Sequence, residues 1–165
     1  MINSNSSRVK HHIVDTLRHK QFFIASCLRM VDYLYACERF DDALELAKRC
    51  SLHDHSKLED DEIKQFVQLP IEEYNSKTSR EPLTDEQKKL IEMHWKRNRH
   101  HPEFFSNPNN MSDVDIMEMV CDWYARSLQF GDDFMYYATV VARKRFGFSD
   151  ETFAKVLGYC EVLRT

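Results

Sequence analysis

Apolar residues recur at helical spacing along most of the chain, beginning with a long first segment. From about Ser7 a helix is predicted whose apolar stripe consists of Phe23, Cys27, Met30, Val31 and Leu34. Extending this stripe toward the N-terminus reaches His19 and then His12. We therefore expect His19 to point toward the interior, either as a metal ligand or as a half-buried imidazole that bonds a carbonyl group. His12 stays open as an alternative first ligand.

Two further helices are predicted on either side of the dipeptide His53-Asp54. The first starts at Phe40, with one of the two following aspartates as its N-cap, and runs into His53. The second covers residues 58–69 and carries an acidic run at residues 59–62 in its first turn. An acidic first turn is typical of a solvated helix N-terminus, and we interpret the run in this way.

The second half of the chain predicts helices with clear start and stop signals. Thr84 and Gln87 form a capping box that opens a helix to about Arg97, and this helix places His94 among core positions. Three more helices follow, with boundaries indicated by the residues Ser112, Gly131, Asp132 or Asp133, Gly147 and Ser149.

These elements and the composition predict a single all-α domain over residues 1–165. Only 3 Gly and 4 Pro occur, which favours long helices, and no segment shows the period of a strand. We expect a bundle of about six or seven helices. Residues 1–6 are predicted to be disordered, and residues 70–83 to form an exposed loop that could cover a site.

Charge and cysteine content narrow the cellular setting. The net charge of −4 provides no global basic field, so there is no strong nucleic-acid signal. The N-terminus lacks the apolar core of a signal peptide, and no apolar run has the length of a membrane span. The 5 cysteines include no C-x-x-C pair, which indicates free buried thiols. We expect a cytoplasmic protein.

Histidines and aspartates on four predicted elements are candidate ligands for a divalent metal. Each lies on or beside an apolar stripe, and burying so many ionisable groups is costly unless they are paired or bind metal. The candidates are His19, His53, Asp54, His94 and Asp122. For His101, which lies seven residues after His94, and for the adjacent His100, three roles remain open: ligand to a second metal, substrate contact, or structural hydrogen bonder.

A metal at such a site would lower the pKa of bound water and hold it in line with a phosphorus atom. Lys57 would then contact the phosphate as a point charge, and Arg97 and Arg99 could add to it. Glu118 lies one turn before Asp122, so it could orient a ligand or act as a general base, or it could be a solvated surface acid. Substrate contacts are assigned to Lys57, Asn98, His100 and Arg97.

The residue pattern resembles a known group of proteins. The blocks are His19-Lys20, His53-Asp54-x-Ser56-Lys57, His94-x-x-x-Asn98-x-His100-His101-Pro102-Glu103 and Glu118-Met119-x-x-Asp122-Trp123. Together they are similar to a family of small phage and bacterial proteins, which in turn resembles the HD-domain superfamily of metal-dependent phosphohydrolases. The resemblance covers roughly residues 10–130.

This resemblance implies an HD-like helical bundle in which His19, His53, Asp54 and Asp122 match the metal ligands. It further implies that His94 and His101 could serve a second ion, as in members that hold two metals. The metal could be Mn, Fe, Co, Ni, Zn or Mg, and the substrate a nucleotide or a related phosphate ester. The 33 residues between His19 and His53 depart from the family's spacing and suggest an insertion near residues 36–48.

Two functional hypotheses follow, beside a third in which the histidines are only hydrogen-bonded. The first is a metal-dependent phosphohydrolase in which Asp54, Lys57 and Glu118 carry the chemistry, acting in the cytoplasm, or in the host cytoplasm if the chain is phage-encoded. The alternative is a non-catalytic, metal-containing helical protein that binds a nucleotide or takes part in a phage–host interaction.

Overall fold

The computed structural model of the chain describes residues 4–69 and 84–165. Within them the backbone forms seven helical segments and no strands, so the predicted all-α class is confirmed. Short 3-10 turns at His55–Leu58, Pro102–Phe104 and Pro108–Asn110 connect the longer helices. The helices are α1 (Ser4–Ala36), α2 (Phe40–Leu52), α3 (Asp60–Phe66), α4 (Asp85–Arg97), α5 (Asp113–Phe130), α6 (residues 134–146) and α7 (Asp150–Arg164).

The core forms where α1 packs along α5 and α2, while α7 closes the bundle against α5 and α1. Apolar side chains spaced three and four residues apart on α1 meet those of the neighbouring helices and exclude water. The α1 members are Phe23, Cys27, Met30 and Leu34, all fully buried. Four of the five cysteines are buried and all five are free thiols, as the sequence predicted.

Helix α5 is the central element of the bundle. Every residue from Val114 to Trp123 is buried, including the three acids Asp115, Glu118 and Asp122. A helix that is buried all round has no solvated face on which charged groups can be placed, so these acids need partners inside the protein. The partners of Glu118 and Asp122 are histidines of the candidate site.

Most helix boundaries follow the predicted capping residues. Thr84 and Ser112 both form capping boxes, and Ser149 accepts a hydrogen bond from the Thr152 amide. The predicted aspartate N-cap of α2 is wrong, because Arg39 occupies that position and Asp41 and Asp42 lie in the first turn.

Two predicted terminal and loop features have different outcomes. Helix α1 begins at Ser4, so residues 4–6 are helical, whereas the sequence analysis predicted disorder for them. The predicted loop at residues 70–83 lies outside the described residues. Within α6, residues Tyr137–Ala142 adopt the wider π-helical winding. No helix among the described residues has the length and apolar character needed to cross a membrane.

Candidate metal centre

The turn after α2 is the point on which the site converges. His53 ends α2, and Asp54 follows in the left-handed conformation with φ 53° and ψ 19°. Aspartate tolerates this conformation better than most residues, although it still costs free energy relative to a helical backbone. The reversal ends the helix and leads directly into the 3-10 turn that carries Lys57. Strained backbone of this kind is common at functional sites.

Four other parts of the chain bring ligand atoms to Asp54. His19 comes from α1, His94 from the last turn of α4, and Asp122 from α5. His100 and His101 come from the segment that follows α4. Their backbone is positioned by the hydrogen bond from the His101 amide to the Asn98 carbonyl. Every one of these side chains is buried except His101, which is partly buried.

The ligand atoms form two four-residue groups that share one residue, beside a third group of His53, His100 and Glu118. Site A is His19, His53, Asp54 and Asp122; site B is Asp54, His94, His100 and His101. Within each group, one ligand atom per residue lies within 4.8 Å of all the others, a spacing that could hold a metal ion. Asp54 belongs to both groups, so a single carboxylate stands between two potential ion positions.

The two oxygens of Asp54 face different sides. Oδ2 lies 3.8 Å from Nε2 of His19 and 3.8 Å from Nε2 of His53, in site A. Oδ1 lies 3.2 Å from Nε2 of His94 and 3.5 Å from Nε2 of His100, in site B. The geometry is therefore that of a carboxylate able to bridge two ions, one on each oxygen. Asp122 completes site A, with Oδ1 2.8 Å from His19 Nε2.

The inward-facing atoms make no well-aligned hydrogen bond, although carboxylate oxygens lie close to the Nε2 atoms of His19 and His94. Buried Nε2 atoms without a partner belong to His19, His53, His94, His100 and His101, and Asp54 Oδ1 is also unsatisfied. Buried polar atoms are normally hydrogen-bonded, because leaving one unpaired costs about 1–3 kcal/mol. Five imidazole nitrogens left unpaired around one carboxylate is the arrangement expected of groups that coordinate metal, so the residues fit a divalent ion.

The opposite nitrogens of these rings are held from outside. His53 Nδ1 lies 3.2 Å from Glu118 Oε1, and His100 Nδ1 lies 3.4 Å from the same oxygen. His94 Nδ1 donates to Glu62 Oε2 over 2.9 Å, and His19 Nδ1 donates to the Gln129 side chain over 3.2 Å. A proton held on Nδ1 by an outer acceptor leaves Nε2 free as the ligand atom, the outer arrangement typical of metal-binding histidines.

The electrostatics keep the acids ionised. Burial disfavours a charged imidazole at His53, but the surrounding carboxylates outweigh this and raise the pKa of His53 to about 9. Burial also opposes ionisation of Glu118, yet its interactions with His100 and His53 lower its pKa to about 2. Burial lowers the pKa of His100 and, more strongly, that of His101. Metal binding requires ionised acids and neutral imidazoles, so the acids, His100 and His101 are in the required state, whereas His53 would have to release a proton when an ion binds.

Lys57 is the cation nearest to the shared carboxylate. Its Nζ lies 2.6 Å from Asp54 Oδ2, and the side chain is largely buried. It also lies over the Phe66 ring, with Nζ 5.8 Å from the ring centre. A cation in this position can interact with negative charge that develops beside Asp54, and the contact of Lys57 with a phosphate stays a prediction.

Two residues assigned to substrate binding have other partners in the structure. The Asn98 side chain donates to the His94 carbonyl over 2.9 Å and to Ser56 Oγ over 3.1 Å, and so closes the end of α4. Arg97 forms ion pairs with Glu59, Asp61 and Glu62 of the α3 segment. Both side chains are engaged within the protein, as Lys57 is with Asp54, and their substrate contacts stay predictions.

Three further residues considered in the sequence analysis have the following positions. Arg99 pairs with Asp115 over 2.9 Å and is not a member of either ligand group. His12 bonds the Lys57 carbonyl over 2.7 Å and belongs to neither site, so His19 is the α1 residue in the cluster. His100, assigned to substrate binding, instead lies among the ligand atoms of site B.

Sequence reasoning missed the outer acids. Glu62, interpreted as part of a solvated run, is buried and accepts from His94, so that interpretation is wrong for this residue. The surface-acid alternative for Glu118 is wrong for the same reason. Nothing in the sequence indicated that Glu62, which follows three consecutive acids, would contact a histidine of the site. The same holds for Gln129, which lies in the last turn of α5.

Comparison with protein families places the chain in one of them. A model described as "Family of unknown function (DUF5662)" matches residues 8–158. The chain belongs to this family. No curated protein and no solved structure matches the chain. Membership covers all the residues of the candidate metal centre and assigns them no activity.

Proposed function

We propose that the protein is a metal-dependent phosphohydrolase of the HD type that acts on a nucleotide or a related phosphate ester. The observation that carries the proposal is the shared carboxylate: Asp54 faces His19 and His53 through one oxygen and His94 and His100 through the other. Pairs of divalent ions joined by such a group are used in phosphate hydrolysis, where they flank the reacting phosphorus atom.

For most candidate ions, the number of protein ligands would leave coordination positions open for water and substrate, which supports a catalytic site over a structural one. Each group supplies four protein ligands when Asp54 is counted in both. Ions that prefer six ligands, such as Mn, Fe, Co, Ni or Mg, would keep positions for water and phosphate, whereas tetrahedral zinc would be saturated. Ions bound here would supply an activated water and polarise a phosphoryl oxygen.

Residues of the chain would stabilise the substrate's charge and orient the metal ligands. Lys57 would stabilise negative charge on the phosphate, since its cation lies at the edge of the cluster beside Asp54. Glu118 would orient His53 and His100 by accepting from their Nδ1 atoms, which favours a positioning role over that of general base. Free cysteines fit a reducing compartment, and we place the reaction in the cytoplasm.

A non-catalytic metal protein is the second candidate, and the burial of the ligands favours it. Asp54, His53, His94 and His100 are each at most 3% exposed, and closed surroundings are typical of structural metal sites. In that case the ions would hold α1, α2, α4 and α5 together, and the protein would bind a nucleotide or a partner without turnover.

The test is phosphate release by protein loaded with Mn, Co, Ni or Mg, from nucleoside mono-, di- and triphosphates and from phosphodiesters. We expect turnover by the wild type, none by Asp54→Asn, and a roughly 100-fold lower kcat with retained metal for Lys57→Met. His55→Gln is the matched control, because His55 is adjacent to Asp54 but exposed. Metal-loaded wild type without turnover would favour the structural candidate, and an active Asp54→Asn would overturn the proposal.

A further inference from the structure

The outer side of α1 carries a second apolar stripe that is mostly exposed; of its members, Val31 also packs against the edge of the core. Seam residues spaced alternately four and three apart run over 26 residues: Lys10, Val14, Leu17, Gln21, Ile24, Leu28, Val31 and Tyr35. This is the heptad pattern of a coiled coil. The large apolar members Val14, Leu17, Ile24, Leu28 and Tyr35 are between 39% and 64% exposed.

The seam is separate from the face of α1 that packs in the core. The buried stripe of Phe23, Cys27, Met30 and Leu34 is centred about 120° away around the helix. The adjacent helix α2 extends the seam, because Tyr35 contacts Phe40 with ring centres 5.5 Å apart and Leu44 is also exposed. The result is a two-helix apolar face on the outside of the α1–α2 hairpin, larger than scattered exposed residues would give.

We propose that this face binds a second copy of the chain in an antiparallel, two-fold arrangement. Each seam residue then lies opposite a seam residue of the second copy, and the two residue numbers always add up to 45. Val14 lies opposite Val31 and Leu17 opposite Leu28 of the second copy, with Gln21 opposite Ile24 at the centre. An isologous contact of this kind is self-complementary, and two α1–α2 hairpins would together form a four-helix bundle.

Charge selects the second copy and its direction. Arg18 and Asp32 lie on the same flank of the seam, each four residues after a seam residue, and both are exposed. Neither forms an ion pair with another described residue. In the antiparallel arrangement the two copies of this flank meet. Asp32 of one chain lies five positions, about 7.5 Å along the axis, from the point directly opposite Arg18 of the other, and both side chains lean toward their own N-termini and therefore toward each other. A parallel arrangement would instead place Lys10 against Lys10 and Gln21 against Gln21.

The test is the mass of the full chain by sedimentation and light scattering over a concentration series. We expect a dimer of twice 19.7 kDa for the wild type and a monomer for Leu17→Glu and Leu28→Glu. Val140→Glu is the control, because Val140 is 51% exposed on α6 and lies outside the seam. Unchanged helical content by circular dichroism would show that the glutamate variants still fold.

Exchange of the charges tests the direction. Arg18→Asp and Asp32→Arg should each weaken the dimer by roughly tenfold in Kd, because like charges then meet across the axis, and the double variant should restore it. A wild type that stays monomeric at all concentrations would overturn the proposal. A dimer that resists both glutamate variants, or one that the double exchange fails to restore, would also overturn it.

Discussion

At the scale of single residues, the site depends on acids that hold histidines from behind. Glu118 and Glu62 never approach the inward-facing nitrogens, yet they determine which nitrogen of three imidazoles carries the proton. Because each acid holds a ligand histidine by its outer nitrogen, its contribution should appear in metal affinity. The same reasoning makes Asp54, with its two differently placed oxygens, the one residue that neither site can lose.

Replacing Glu62 by glutamine tests this outer layer. The neutral amide is a weaker acceptor for His94 Nδ1, so metal affinity should fall by about 10- to 100-fold while the far-ultraviolet circular dichroism stays the same. Titration of the metal-free protein with Mn or Co measures the change. Asp61→Asn is the control, because Asp61 is exposed, accepts from Arg97 and the Glu62 amide, and belongs to neither ligand group. Equal affinities for Glu62→Gln and wild type would show that Glu62 does not support the site.

Asp115 makes a separate prediction about acid stability. Burial opposes its ionisation, but hydrogen bonds from Arg99, Arg49 and Ser112 lower its pKa to about 2. A carboxyl group whose pKa is lowered by folding stabilises the protein at pH values above the ordinary aspartate pKa of about 4. This stabilisation is lost as the pH falls from about 4 toward 2. Asp115→Asn should therefore unfold about 1–2 kcal/mol more easily at neutral pH.

Urea unfolding at a series of pH values would measure the contribution of Asp115 to stability. The free-energy difference between Asp115→Asn and wild type should shrink as pH approaches 2, because wild-type Asp115 then becomes protonated. Asp85→Asn should show no such change, since that side chain is 85% exposed. A difference that is constant with pH would mean that Asp115 stabilises the fold by packing and not by charge.

At the scale of elements, α5 joins the core to the candidate site. Its apolar residues pack against α1, α2 and α7, and the same helix presents Glu118 and Asp122 to the histidines. Rigid packing on the apolar sides fixes the position of the acids, because close-packed cores do not let a helix shift freely. The site is therefore built on the most buried helix of the described chain.

Truncation in α5 should be costly. Met117 and Met119 are fully buried, so Met117→Ala or Met119→Ala should lower the free energy of unfolding by about 2–5 kcal/mol through lost burial and the cavity left behind. Leu128→Ala on the same helix is 47% exposed and should change it by less than about 0.5 kcal/mol. Urea unfolding of metal-free protein compares the three; equal effects would contradict the central position of α5.

Helix periodicity predicted much of this and failed at identifiable places. Capping boxes and glycine stops gave most helix boundaries, and apolar stripes indicated the inward direction of His19, His94 and Asp122 because a buried helix face is periodic. An apolar stripe shows which way a helix face points but does not identify the residues that it contacts. It could therefore not show that Arg97 forms ion pairs with α3 or that the Asn98 side chain bonds the end of α4. Glu62 lies among acids that differ only in tertiary surroundings.

At the scale of the whole molecule, the candidate ligands come from distant parts of one chain. His19 and Asp122 are separated by 103 positions, yet His19 Nε2 lies 2.8 Å from Asp122 Oδ1. Bringing buried acids and unpaired imidazole nitrogens together opposes folding, because their solvation is lost. Bound metal would reverse this cost, so metal binding and stability should be coupled. The fold is then organised as much around Asp54 as around its apolar core.

The most direct test of a shared carboxylate is elemental analysis of purified protein after incubation with Mn and removal of loosely bound ions, comparing wild type with Asp54→Asn. We predict two equivalents of metal per chain in the wild type and loss of both in the variant, because each group uses one oxygen of Asp54. His55→Gln should keep both equivalents. Wild-type protein without metal, or an Asp54→Asn protein that retains two equivalents, would contradict the account.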